Sequence, residues 1–161
     1  MIHKINKAVE RALVTLLLAM LLVVIWQVAS RILSKFIQLP DTSFTEELAS
    51  YLLIWLAILG SAYATGKKMH LAVDILQTKL SPTQNKRVTI FNHLLVLLFA
   101  LSVLVYGGIK LVSFNIYFGQ KSASMGLPVA IVYSIVPISG LLIIVYSMYD
   151  IISLNKELKS N

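Results

Sequence analysis

Few residues in this chain could do chemistry, and the most prominent are an acidic pair and two of its histidines. Glu46 and Glu47 are adjacent, and they suit either the capping of a helix at its positive end or contact with a partner subunit. His70 and His93 could hold a haem b between membrane helices. The chain has no cysteine, which excludes disulfides, a thiolate nucleophile, Cys-ligated zinc and Fe–S clusters.

The haem hypothesis needs two histidines that face each other across a helical bundle. His93 falls about one and a half turns inside an apolar segment, whereas His70 falls in a segment that suits the membrane surface. No second histidine faces His93 within an apolar segment. We therefore expect no cofactor and no metal, and a membrane anchor of a respiratory enzyme, with or without haem, is kept as an alternative.

The elements that must position these residues are membrane helices. Hydrophobic residues make up 58% of the 161 residues and charged residues only 13%, against about 25% charged in soluble domains. A bilayer span needs about 20 mostly apolar residues, and four segments qualify, at 12–30, 48–65, 88–109 and 129–149. The chain is predicted to be an all-α membrane protein, a single integral domain over residues 1–161. No long hydrophilic segment remains for soluble chemistry, so no enzymatic activity is expected.

The positions of the cations set the predicted orientation of these spans. Ten Lys and Arg residues fall on one side of the membrane and four on the other, and cytoplasmic loops carry the excess. The four are Arg31, Lys35, Lys110 and Lys121. Both termini are therefore predicted to be cytoplasmic, with the first helix retained and not cleaved as a signal peptide. Topology accounts for the net charge of +7, and no nucleic-acid partner is expected.

The connectors contain signals for helix starts and for a surface helix. Ser43 and Glu46 have the spacing of a capping box that begins the second span. Residues 69–80 place apolar and polar side chains at helical spacing. This pattern predicts a short amphipathic helix on the cytoplasmic interface between spans two and three.

The middle of each predicted span carries no charge, which argues against an ion or substrate path within this chain. Trp55 lies about 13 Å deeper than Glu46, near mid-membrane, where packing against another helix or another protein is expected. Pro137 cannot donate a hydrogen bond to the carbonyl of Tyr133, so a kink or a freed acceptor is expected in span four.

Small residues in spans two and three favour close approach of neighbouring helices. They are Gly60 and Ala62 in span two and Gly107 and Gly108 in span three. We expect these positions to pack within the bundle or against another subunit.

Several of these residues occur in an order that resembles a known family. Across span two and its cytoplasmic exit the series is Glu46, Glu47, Trp55, Gly60, Ala62, the stretch 66–70, Val73 and Asp74. A looser series around span four is Ser124, Pro128, Tyr133, Pro137 and Gly140. The chain resembles, over essentially its whole length, the small membrane subunit of tripartite ATP-independent periplasmic (TRAP) transporters. One departure is that Lys67, Lys68 and Met69 separate Gly66 from His70.

The resemblance implies an accessory subunit of a sodium-driven importer in the bacterial inner membrane. In such a system a periplasmic substrate-binding protein captures an organic acid, and a large membrane subunit carries the substrate with sodium. The small subunit braces the large one among the membrane lipids. Solutes of the family include sialic acid and C4-dicarboxylates, and the chain is most similar to the sialic-acid members. A self-contained four-helix transporter is kept as a second alternative.

The resemblance also implies roles for individual residues. Ser43, Glu46 and Glu47 would cap a helix or contact a partner. Packing or subunit contact is implied for Trp55, Gly60, Ala62, Gly107, Gly108, Tyr133, Pro137 and Gly140. The cytoplasmic exit motif would comprise Lys67, Lys68, His70 and Asp74.

Overall fold

The computed structural model describes residues 2–37, 43–67 and 82–159, with side chains described at 3–37, 43–67 and 88–153. These ranges are almost entirely helical. In chain order they form α1 (Ile2–Leu33), α2 (Ser43–Gly66), α3 (Pro82–Phe99), a π-helical stretch (Ala100–Gly107), α4 (Gly108–Tyr117), α5 (Val129–Tyr133) and α6 (Ile135–Lys159). The predicted interfacial helix at 69–80 lies outside the described residues.

These elements make four spans. Span one is α1, span two is α2, span three is the continuous run of α3, the π-helical stretch and α4, and span four is α5 followed by α6. Each span is long and apolar enough to cross a membrane, which confirms the predicted all-α, four-span fold. Within the described residues the extended pairing is a single bridge between Lys121 and Pro128.

The observed helices are longer than the apolar segments from which they were predicted. α1 has 32 residues, or about 48 Å at 1.5 Å per residue, against a hydrocarbon core of about 30 Å. Its first turns carry Lys4, Lys7, Glu10 and Arg11. The helix therefore extends past the apolar region into the zone where charged side chains are solvated.

The spans lie in the spatial order one, two, four, three. One apolar cluster joins spans one, two and four around Val9, Leu59 and Ile135. A second joins spans two, three and four around Ala62, Ala100 and Ile143. Because the alanines at the second contact are completely buried, the backbones of the three spans approach closely there.

Span four is interrupted one turn after it begins. α5 ends at Tyr133 and α6 begins at Ile135, and the amide of Ile138 lies 3.4 Å from the carbonyl oxygen of Ser134, a long hydrogen bond. The interruption lies just before Pro137, whose ring and missing N–H disfavour a regular helix over the preceding turn.

An even number of spans brings both ends of the described chain to one end of the bundle. We call this the inner end; it holds Asn6 and Gly66. The opposite outer end holds Arg31, Glu46 and the loop at 118–128.

Candidate functional site

The loop at 118–128, between spans three and four, has an ordered backbone. The amide of Ser122 donates a hydrogen bond to the carbonyl of Leu127 at 2.8 Å, and the amide of Val129 donates one to the backbone carbonyl of Gln120 at 3.0 Å. Gly119 and Gly126 have φ values of 58° and 66°, a region that glycine enters without steric cost. The loop is therefore a folded cap on the outer end of spans three and four.

Glu47 ties this loop to the start of span two. Its carboxylate accepts a hydrogen bond from the Tyr51 hydroxyl at 2.6 Å and one from the backbone amide of Ser124 at 2.9 Å. The hydroxyl of Ser122 is a further partner of the same carboxylate. Hydrogen bonds to a charged acceptor are stronger than those between neutral groups, so this network is a polar link between span two and the loop. We call Glu47, Tyr51, Ser122 and Ser124 the outer latch.

Glu46 points to a different neighbour. Its Oε1 accepts a hydrogen bond from Arg31 Nη2 at 2.9 Å, and the two side chains are 57% and 73% exposed. An ion pair this exposed contributes about 0–1 kcal/mol. The two acidic residues therefore have different partners. Glu46 forms a weak ion pair with span one, whereas Glu47 joins span two to the loop by hydrogen bonds. The capping box of Ser43 with Glu46 stays a prediction.

Trp55 joins the second span to the interruption in span four. Its indole Nε1 donates a hydrogen bond to the carbonyl oxygen of Val132 at 3.0 Å. The sequence pointed to the carbonyl of Tyr133 as the acceptor freed by Pro137, but the carbonyl that receives the indole is one residue earlier. The indole N–H therefore provides a hydrogen-bond donor for the Val132 carbonyl beside the interruption. Within the bilayer few water molecules are available to do this.

The small residues predicted to pack fall into two groups. Ala62 is completely buried. A Cβ on Gly108 would lie 2.8 Å from the Pro137 ring, and one on Gly140 would lie 2.8 Å from the Leu104 Cβ. These two glycines therefore sit where spans three and four touch.

Gly60 and Gly107 belong to the other group. A Cβ on Gly60 would meet nothing within 4 Å, and one on Gly107 would meet only a carbonyl of its own span at 3.8 Å. Among the residues that the structure describes, neither glycine packs against another span. Contact with another subunit stays a prediction for them.

Gly66 makes the closest approach at the inner end. A Cβ there would lie 2.8 Å from the Tyr146 ring and 2.9 Å from the Asn6 amide oxygen. Asn6 also donates to the Gly66 carbonyl at 3.4 Å. Beside it, the Lys67 ammonium lies 5.5 Å from the centre of the Tyr63 ring. The other residues of the exit motif, Lys68, His70 and Asp74, lie outside the described residues.

Three residues of these contacts were missed from the sequence. Tyr51 lies four residues after Glu47 and so on the same helix face, a signal that was available. Ser122 and Tyr146 gave no local signal, because their partners are distant in the sequence. Tyr133, at the end of α5, is half-buried.

The described residues hold no group of three or more His, Cys, Asp or Glu side chains that could bind a metal ion. Their carboxylates with described side chains are at Glu10, Glu46, Glu47 and Asp150, each within about three turns of a helix end. His93 is buried in α3, and His70 lies outside the described residues. The geometry thus defines a class: a four-span membrane protein built around helix contacts and an ordered outer loop.

Comparison with known proteins places the chain within that class. A model of the DctQ component of tripartite ATP-independent periplasmic transporters matches residues 20–157, so the chain belongs to the DctQ family. It is 28% identical over 141 residues to a Haemophilus influenzae protein provisionally named a TRAP transporter small permease protein, a match that covers 88% of this chain and 83% of the relative. The resemblance to the small TRAP subunit is confirmed at the level of the family.

Proposed function

We propose that this chain is the scaffold subunit of a sodium-driven importer of organic acids, and that it contains no transport site of its own. It would work with a large membrane transport subunit and a periplasmic substrate-binding protein. Membership of the DctQ family supports the tripartite setting. Sialic acid or a C4-dicarboxylate is the solute class proposed from the sequence resemblance.

The observation that carries the scaffold role is the position of the charges. Every described carboxylate lies within a few turns of a span end. Sodium needs several oxygen ligands, and an anionic substrate needs cations or opposed helix ends near mid-depth. Near the middle of their spans, Trp55 and Ala100 serve contacts between helices.

The face proposed to meet the large subunit or lipid is the exposed side of span one. Its apolar side chains are unusually open: Leu22 is 67% exposed and Trp26 59% exposed. Apolar faces of this size are covered by lipid or by another membrane helix. Gly60, which has open space around it, is proposed to lie at the same kind of contact.

The outer latch supports a second part of the proposal, that the loop at 118–128 helps to dock the binding protein. A loop held by a carboxylate and by its own backbone loses little freedom on binding, which lowers the entropic cost of association. This role requires the outer end to face the periplasm, as the distribution of Lys and Arg favours.

Single cysteines test that orientation on a chain that has none of its own. Cysteines at positions 35 and 121 should react with a membrane-impermeant maleimide added to intact cells, and cysteines at positions 4 and 67 should react only after lysis. All four side chains are exposed at the surface of the chain, so accessibility within the protein does not bias the comparison. The reverse pattern would place both termini in the periplasm.

Reconstitution tests the scaffold role. Proteoliposomes with the large subunit, this chain and the binding protein should take up labelled sialic acid or succinate when a sodium gradient is imposed. This chain alone should give none, and its omission should abolish or cripple uptake. The Glu46→Gln, Glu47→Gln double variant should lower assembly or docking without changing the sodium dependence of residual uptake, and Glu10→Gln is the control. A changed sodium stoichiometry in the double variant would place an ion site here and refute the proposal.

A further inference from the structure

We propose that the inner end of spans one and two binds the headgroup of an anionic phospholipid, whose acyl chain lies along the exposed face of α1. An open cleft of about 580 Å³ lies there. The lining residues that matter for the argument are Lys7, Glu10, Arg11, Val14, Thr15 and Lys67. The proposal rests on the chain spanning a bilayer and is independent of its part in transport.

The cleft has an excess of positive charge. Lys7, Arg11 and Lys67 contribute three cations and Glu10 one carboxylate, which leaves two positive charges in excess. Among residues 3–37, 43–67 and 88–153, no carboxylate lies within ion-pair distance of these three cations. Ammonium and guanidinium groups without a carboxylate partner are free to donate hydrogen bonds to phosphate oxygens. The charge pattern therefore fits an anionic phosphate group.

The shape of the surface beyond the cleft selects a lipid. Lys7 and Arg11 share one helix face with Val14, Leu18 and Leu21, since these positions recur every three or four residues. The three apolar side chains are 52%, 56% and 54% exposed. The cationic surface at the inner end is therefore continuous with an exposed apolar stripe on α1. A phospholipid has this order of headgroup and acyl chain, whereas a free phosphate would use only the cationic part.

The two walls of the cleft are in direct contact. Asn6 Nδ2 donates to the Gly66 carbonyl at 3.4 Å, and this bond joins α1 to the last residue of α2. Lys67 follows immediately, with its ammonium 5.5 Å from the centre of the Tyr63 ring. The Thr15 hydroxyl donates to the Arg11 carbonyl at 2.9 Å. The cations of the two spans are therefore brought to one cleft by contacts within the chain.

In a bilayer, anionic lipid headgroups lie at the same depth as the cations of the cleft. Basic pockets between membrane helices bind anionic headgroups, and each Lys or Arg near the surface adds about 1 kcal/mol of attraction. That energy corresponds to about a fivefold change in affinity per cation. Removing all three cations is therefore expected to weaken binding roughly 100-fold.

The experiment uses the purified full chain in nanodiscs of phosphatidylcholine that contain increasing fractions of phosphatidylglycerol. Native mass spectrometry measures the lipid retained by the protein. We expect wild type to retain phosphatidylglycerol preferentially, and the Lys7→Gln, Arg11→Gln, Lys67→Gln variant to lose that preference. The matched control removes three cations from the opposite half, as Lys35→Gln, Lys110→Gln, Lys121→Gln, and should keep it. Glu10→Gln should bind severalfold more tightly.

Several outcomes would overturn the proposal. The first is a wild type without preference for phosphatidylglycerol, as expected if the cleft is a site for carboxylates of a protein partner and not for a phosphate group. Another is an equal loss in both triple variants, which would indicate diffuse attraction to the bilayer surface. A third is that millimolar inorganic phosphate displaces the retained lipid, which would identify a site for free phosphate. Glu10→Gln keeps the test informative if the triple variant does not fold, because unchanged binding there would also contradict the proposal.

Discussion

Spans one and four are comparable in hydropathy, yet the structure uses them in opposite ways. In the most apolar stretch of span four 39% of residues are buried, and in that of span one none is buried. Span four has fully buried side chains at Ser139, Tyr146 and Ser147. Span one instead presents Leu22 and Trp26 outward. Hydropathy therefore predicts which segments enter the membrane and not which of them form the centre of the bundle.

The difference lies in small residues and backbone approach. Span four meets span three at Gly140 and Gly108, where an added methyl group would overlap neighbouring atoms. Its interrupted first turn is stabilised by the Trp55 indole. Span one has no glycine, and its described polar contacts are short-range or at its ends. We infer that spans two, three and four form the centre of the bundle, and that span one packs beside it, against span two and against Ile135 of span four.

The largest effect is expected from filling the contact between spans three and four. Gly140→Leu would force a side chain into a position where even a Cβ lies 2.8 Å from Leu104 and 3.2 Å from the Val105 backbone nitrogen. Overpacking of this kind costs about 3 kcal/mol or more. We expect a large fall in thermal stability, measured by fluorescence-detected size exclusion in detergent. Gly60→Leu, which adds the same side chain in open space, should leave stability nearly unchanged. Equal losses in the two variants would contradict the packing difference.

A smaller loss is expected from Trp55→Ala. Large-to-small changes cost about 3–5 kcal/mol in soluble cores, and we expect about 2 kcal/mol here because Trp55 is only half-buried and no water is expelled in lipid. Trp55→Phe keeps most of the ring and removes the hydrogen bond to Val132, at about 1 kcal/mol. Trp26→Ala, on the exposed side of span one, is the matched control and should cost little. If Trp55→Ala and Trp26→Ala destabilise the purified chain equally, the distinction between the spans is wrong.

Loss of the outer latch should have a local effect, confined to the loop at 118–128. Glu47→Gln removes the charge that strengthens the bonds from Tyr51 and Ser124. Amide hydrogen exchange across residues 118–128 should become faster in this variant, while exchange in the middle of the spans stays unchanged. Glu46→Gln removes only the exposed pair with Arg31 and should leave the loop unaffected. Faster loop exchange in Glu46→Gln, with none in Glu47→Gln, would reverse the roles assigned to the acidic pair.

The smallest effect on the chain itself is expected from span one. Leu22→Ala shortens a side chain that is 67% exposed and leaves no internal cavity, so the stability of the isolated chain should change by less than about 0.5 kcal/mol. If this face meets the large subunit, as we propose, the same variant should lower the yield of the complex in a pull-down. A marked loss of stability in the isolated chain would show that span one packs inside the bundle.

Local patterns in the sequence were enough for several of these features. Apolar runs of about 20 residues predicted the four spans, and the order of residues from Glu46 to Asp74 indicated the family before any comparison. Trp55 was indicated by its depth and Gly108 by its small size, whereas Gly140 was indicated only by the family resemblance. Only part of the outer latch could be predicted from the sequence. Tyr51 shares a helix face with Glu47, whereas Ser122 and Ser124 belong to a loop more than seventy residues away.

The class, the spans and the distribution of charge follow from the amino-acid sequence, because hydropathy and cation counts depend on residues close together in the chain. The central spans, the glycines that make contacts and the carboxylate that holds the loop become clear only from the packed helices. Gly60 and Gly108 cannot be distinguished by residue type. They differ in whether another span approaches within 4 Å, and that approach is set by the packing of all four helices together. The cleft at the inner end arose in the same way, because its cations come from residues 7, 11 and 67, which meet only when spans one and two are packed side by side.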